Sequence, residues 1–139
     1  MRFMLFMNPD TQTIGDDWGT PDVEAVAAMG AFNEQLVQAG VLLAADGLHP
    51  PTEGARVRRT GGKPVVTDGP FAEAKEVVGG YWILDVKDKA EAVEWASRCP
   101  LTEGDMIEVR RVYEMSDFPD DVQAAAELSE LPPEQTSAS

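Results

Sequence analysis

Five groups of residues in this chain are of types that could do chemistry. His49 is its one histidine and stands in Gly47-Leu48-His49-Pro50-Pro51. The unperturbed pKa of an imidazole suits proton transfer, although a lone histidine in a proline-rich loop is also an ordinary surface residue. Asp68 opens Asp68-Gly69-Pro70-Phe71. Its carboxylate could act as a general base at a loop edge, or could cap backbone N–H groups while Gly69 and Pro70 shape the turn and Phe71 plugs the core. Arg56, Arg58 and Arg59, with Lys63 beyond a turn, form the basic cluster. Arg56 and Arg58 share a strand face, where guanidinium forks suit a carboxylate or phosphate, or they simply coat a solvated hairpin. Tyr81 and Trp82 follow Gly79-Gly80, so one packs in the core and the other faces away, with pocket lining as the alternative. Glu108 and Arg110 share one face of the last strand and either pair or frame a polar pocket.

Other chemistries lack their residues. No second histidine or cysteine stands at ligand spacing from His49, so no metal is expected, and an all-carboxylate site would hold only a hard cation loosely. No Walker loop, GxGxxG run, G-x-S-x-G elbow or Cys-x-x-Cys pair is present, and no cofactor is expected. With 11 Lys and Arg against 25 Asp and Glu the formal charge is −14, which repels phosphate backbones and anionic membranes; neither is an expected partner. The cationic cluster instead suggests a small anionic ligand.

The elements that must position these groups are legible in outline. A chain of 139 residues fits one domain with a real core. Phe3 to Met7 is an apolar run too short for a secretory or membrane segment and reads as a strand. The single Cys99 fits a reducing compartment, and a cytoplasmic protein is expected. Thr20-Pro21-Asp22 predicts a helix start with Thr20 as cap, and Val26, Met29, Phe32 and Leu36 its buried stripe up to Gly40. Strands are predicted at Val41 to Ala45, Gly80 to Val86 and Met106 to Tyr113, with a hairpin of Arg56 to Arg59 and Lys63 to Thr67 closing at Thr60-Gly61-Gly62. Asp88 caps a second helix that Pro100 stops. The order implies a ferredoxin-like β-α-β-β-α-β antiparallel sheet, an α+β fold with two helices on one face. The other face, with Met4, Phe6 and one parity of Tyr81 to Leu84, would be bare, so a second copy is expected to cover it.

The ends are expected to differ. Residues 1–113 make the domain, and 114–139 carry seven acidic residues and no Lys or Arg, half the net charge. Pro119-Asp120-Asp121 predicts a short helix through Val122 to Leu131, after which Pro132-Pro133 and a polar end read as disordered.

Val66-Thr67-Asp68-Gly69-Pro70-Phe71-Ala72-Glu73-Ala74-Lys75-Glu76 with Gly79-Gly80-Tyr81-Trp82 resembles the signature of the DGPF branch of the YCII-related proteins. The apolar first strand, Ala39 to Leu42, Gly47 to Pro50 and Ala92 to Ala96 follow the order of that family over roughly Met1 to Tyr113. The resemblance implies a dimeric α+β barrel, hence a homodimer, and a link with extracytoplasmic-function sigma factors. It assigns no reaction. Proteins of the wider family carry a His in the first helix and an Asp after the second; alignment places Met29 and Cys99 at those positions here. The resemblance thus leaves a non-catalytic binding or accessory module, or an isomerase- or lyase-like enzyme moving protons on an anionic substrate between sheet and helices.

Overall fold

The computed structural model describes residues 1–15, 18–71 and 76–126. Strand β1 is Arg2–Asn8. Its alternation puts Phe3 and Leu5 in the core and leaves Met4 and Phe6 half-buried on the opposite side. A four-residue helix α1, Thr11–Ile14, follows under an Asp10 cap. Helix α2, Val23–Gln38, starts later than Thr20-Pro21 predicts: Asp22 is the extended residue before it, its side chain caps nothing, and the first helical bond is Val26 N–H to the Asp22 carbonyl at 3.0 Å. Val26 is therefore exposed in the first turn, while Phe32 and Leu36 are buried and Met29 packs at the core margin. The helix ends in a Schellman arrangement. Gly40 takes φ 72, its N–H donates to Val37 O at 3.0 Å and that of Val41 to Leu36 O at 3.2 Å, which the left-handed glycine makes cheap.

Strand β2 is Leu42–Gly47, a 3₁₀ turn spans Pro51–Glu53, and β3, Ala55–Thr60, pairs with β4, Lys63–Asp68. Gly61 and Gly62 have φ 60 and 80, the two left-handed positions that a primed hairpin turn demands. Strand β5 is Gly80–Asp85. Helix α3, Lys89–Ser97, is capped by Asp88, whose carboxylate accepts from Glu91 N–H at 2.9 Å. Glu91 reciprocates one residue earlier than a strict capping box, accepting from Lys87 N–H at 2.9 Å. Strand β6 is Met106–Arg111, shorter than predicted: Tyr113 leaves the sheet and stacks on Phe118 at 4.8 Å between ring centroids. The last described helix, α4, is Asp120–Ala126 and buries no residue; the predicted continuation to Leu131, Pro132-Pro133 and the end lie outside the described residues.

The main sheet is antiparallel, in the order β2-β5-β1-β6, and the β3–β4 hairpin is a separate two-stranded sheet. Register pairs Phe3 with Leu84 and Leu5 with Trp82, so the core-facing rows meet Phe32, Leu36, Ala92 and Trp95 of α2 and α3. Phe32 meets the Trp82 ring edge-on at 5.8 Å. Leu5, Leu36 and Leu84 are fully buried, and truncating any one to Ala costs about 2–5 kcal/mol in such a core. The opposite row pairs Met4 with Ile83 and Phe6 with Tyr81. These side chains are half-buried, and neither long helix packs on that face because both are committed to the other.

Candidate functional site

Two clefts lie on either side of the junction where β2 leaves the sheet and β5 enters it. Leu48 N–H donates to Gly79 O at 2.9 Å and Gly79 N–H to Met7 O at 2.7 Å, fixing that junction. The glycines are required by close packing rather than by φ. A Cβ at Gly80 would lie 3.1 Å from the Asp46 carbonyl oxygen, and one at Gly79 3.1 Å from Pro9 Cδ.

The first cleft, about 210 Å³, opens between α2 and the ends of β1, β2 and β5. Its apolar walls are Met7, Met29, Ala45 and Trp82, and its polar side chain is Asn33; Asp46 and Tyr81 border it from positions that pair across strands on the sheet face turned away from α2. Trp82 Nε1 donates to Asn33 Oδ1 at 2.8 Å, which fixes the amide orientation and leaves the Asn33 nitrogen as a donor. Tyr81 Oη donates to Asp46 Oδ2 at 2.7 Å. That hydrogen bond is the main reason the Tyr81 phenol is pushed up from its ordinary pKa, helped by desolvation and by the charge of Asp46. At neutral pH Tyr81 is therefore a fixed donor and not a base.

The second cleft, about 520 Å³ and wider open, lies at the root of the hairpin and brings His49 and Arg56 together with Phe71 and Glu76. The Arg56 guanidinium sits 3.9 Å from the centroid of the Phe71 ring, a cation–π contact. Phe71 thus supports an arginine at half-burial instead of plugging the core. The remaining sequence candidates do not converge on either cleft. Arg58 lies on the exposed hairpin. Arg110 is on β6, paired with Glu108 at 3.2 Å on open surface. Asp68 ends β4 opposite Ala55, and its carboxylate accepts no hydrogen bond among the described residues.

The turn role expected of Asp68 belongs to its neighbour. Gly69 N–H donates to Gly54 O at 2.9 Å, and a Cβ on Gly69 would collide with the Pro51 carbonyl oxygen. The glycine is thus what lets the end of β4 lie on the 3₁₀ turn. Ala72 to Lys75 of the same motif lie outside the described residues. Among those that are described, no three His, Cys, Asp or Glu side chains gather at metal-binding distance.

The structure brings the two positions singled out by alignment into contact: Cys99 Sγ lies 3.9 Å from Met29 Sδ. Burial pushes the Cys99 thiol up to about 11, with the charge of Asp105 adding to it. Here the pair is an apolar packing contact, consistent with cysteine acting as a small hydrophobe.

Asn33 and Asp46 escaped sequence reasoning. Asn33 is four residues after Met29 on the flank of the buried stripe, which is the signal that could have found it. Asp46 gave less, since an acidic residue before Gly47 reads as the end of a strand.

These features define an α+β protein with an antiparallel sheet, helices on one face and a small cleft between them. A family model for the YCII-related domain matches residues 1–116, and the chain belongs to the YCII-related family. It is similar to an uncharacterised protein of Rhizobium meliloti (strain 1021), with 33% identity over 86 residues, 61% of this chain and 69% of that relative.

Proposed function

We propose that this chain is a small-molecule-binding module, with the sheet–helix cleft as its site. The observation carrying this reading is Asn33, oriented by the 2.8 Å hydrogen bond that its Oδ1 accepts from Trp82 Nε1, in a cleft with methionine and tryptophan walls. Few convergent polar groups on apolar walls are the usual makeup of a ligand site. The volume is below the roughly 300–1,000 Å³ of drug-sized sites, so the ligand is a small metabolite. No Lys or Arg lines this cleft, so a neutral polar ligand suits it better than the anion first expected. An anion would instead go to His49 and Arg56 at the hairpin root, and proton-transfer chemistry on it would need Asp68 to reach that cleft.

The strand order and the two β-α-β crossovers support a ferredoxin-like fold, and the bare row of Met4, Phe6, Tyr81 and Ile83 supports a homodimer built as an α+β barrel. The domain is read as 1–113 with 114–139 as an acidic appendage, and Asp68 to Phe71 supports placement in the DGPF branch. No helix among the described residues is long and apolar enough to cross a membrane, and a cytoplasmic site of action is part of the same reading. An accessory role beside sigma-factor regulation rests on family resemblance alone.

The test is a thermal-shift screen of the intact protein against neutral, cationic and anionic metabolites, with binding constants then measured for Asn33→Ala and Asn33→Asp. A ligand at about 100 times its Kd stabilises the fold by about 2.7 kcal/mol. A hit whose affinity neither substitution changes would place the site elsewhere, and no hit across the three classes would end the reading.

A further inference from the structure

The hydrogen-bonding role of Asn33 is set by its neighbour. An indole N–H can only donate, so the amide atom 2.8 Å from Trp82 Nε1 is the oxygen. Trp82 is itself held, being 5% exposed and packed edge-on against Phe32, so the amide is anchored on a fixed partner. Its other polar atom, Nδ2, is thereby a pair of oriented N–H donors that makes no hydrogen bond among the described residues. Nor is it sealed from solvent: among those residues, the buried side-chain polar atom that lacks a partner is Trp18 Nε1. Nδ2 is an open donor on the α2 wall of the sheet–helix cleft.

The rest of the cleft limits what that donor can meet. Met7, Met29, Ala45 and Trp82 supply apolar surface, and thioethers beside an indole suit an apolar or flat body. The backbone at the mouth is already paired, Leu48 N–H with the Gly79 carbonyl and Gly79 N–H with that of Met7. No Lys or Arg lines the cleft, and the Asp46 carboxylate lies on the sheet face turned away from α2, bonded to Tyr81. A carboxylate entering would exchange its hydration for one neutral amide, and an ammonium would find no anionic side chain among the described residues; both desolvations are unfavourable. A neutral molecule with an oxygen acceptor matches what remains.

We infer that the cleft takes a small neutral carbonyl compound, its oxygen accepting from Asn33 Nδ2 and its apolar body lying against Met7, Met29 and Trp82. The inference rests on the binding-module reading and adds the class of ligand.

Probes of one ring size separate the classes: cyclohexanone, methylenecyclohexane, cyclohexylammonium and cyclohexanecarboxylate. Each is titrated into the isotope-labelled full chain and followed by NMR at the Asn33 side-chain amide and the Trp82 indole N–H. Cyclohexanone should shift both resonances and bind about three- to tenfold more tightly than methylenecyclohexane, the worth of one neutral hydrogen bond, and both ions should bind at the cleft more weakly than the ketone. Asn33→Asp keeps an acceptor for Trp82 and turns the free donor into a charged acceptor. It should erase the ketone preference and favour cyclohexylammonium, with the indole resonance reporting that the local packing is kept. A ketone bound no more tightly than methylenecyclohexane, or an ion preferred by the parent protein, overturns the ligand class and leaves the binding module standing. Silence of both resonances with every probe also overturns the inference, and the wider metabolite screen then decides the binding reading by itself.

Discussion

Cys99 Sγ and Met29 Sδ are 3.9 Å apart although 70 residues separate them in the chain. The contact ties α2 to the segment after α3 at the edge of the sheet–helix cleft, because Met29 also lines that cleft. Both side chains are soft and apolar, so any chemistry in the cleft would have to use other residues. Asn33 is the polar side chain it holds.

Cys99 should behave as a buried, protonated thiol. With its folded pKa pushed up to about 11, its contribution to stability is fully present below the unfolded thiol value of about 8.5 and is lost as pH rises through the folded value. Chemical denaturation of the parent should therefore show stability falling over that alkaline window, with a flatter limb in Cys99→Ala. Rapid labelling of the native protein by a thiol reagent at pH 8 would contradict this.

Arg2 grips Glu114 with two hydrogen bonds, Nε to Oε1 at 2.7 Å and Nη2 to Oε2 at 3.0 Å. The Arg2 hydrogen bonds hold the Glu114 carboxyl below its usual range. A depressed folded pKa gives stability that is present above the unfolded value of about 4.3 and is lost as pH falls through the lower folded value. Because the pair is partly solvent-exposed, Glu114→Gln should cost only about 0.2–1 kcal/mol at pH 7. That difference should close below the folded pKa, as urea melts at pH 7 and in strong acid would show; an equal gap at both would argue for a packing effect instead.

Asp68 and Gly69 should give unequal results on substitution. The Asp68 carboxylate accepts nothing among the described residues, so Asp68→Ala should change stability by no more than about 0.5 kcal/mol. A Cβ at Gly69 has no room beside Pro51, and Gly69→Ala should cost about 1–3 kcal/mol through overpacking, seen as faster amide exchange in β3 and β4. A loss of 1 kcal/mol or more in Asp68→Ala would restore the capping role.

Truncation after Phe118 removes α4, which buries nothing, and keeps the Glu114 and Asp117 contacts with Arg2 and Arg111. Thermal melting should show the fold intact, with a change below about 2 kcal/mol. A larger loss would mean that the removed residues dock on the body.

The sequence by itself determined the elements of this protein and their order. The short apolar run Phe3-Met4-Leu5-Phe6 as a strand, the Asp88 cap, Gly40 as a stop and Gly61-Gly62 as a turn are local signals, each readable within a few residues, and all four appear in the structure. Only tertiary structure decided which parity of Tyr81 and Trp82 faces the helices, because both rows are apolar and the choice depends on register against Leu5 and Phe6. It alone placed Asn33 beside Trp82 and Asp46 beside Tyr81, contacts spanning 49 and 35 residues. It also left Asp68 outside both clefts, since hydrogen bonding and steric fit at Gly69 set the path of the chain there and a carboxylate one residue away follows that path wherever it leads.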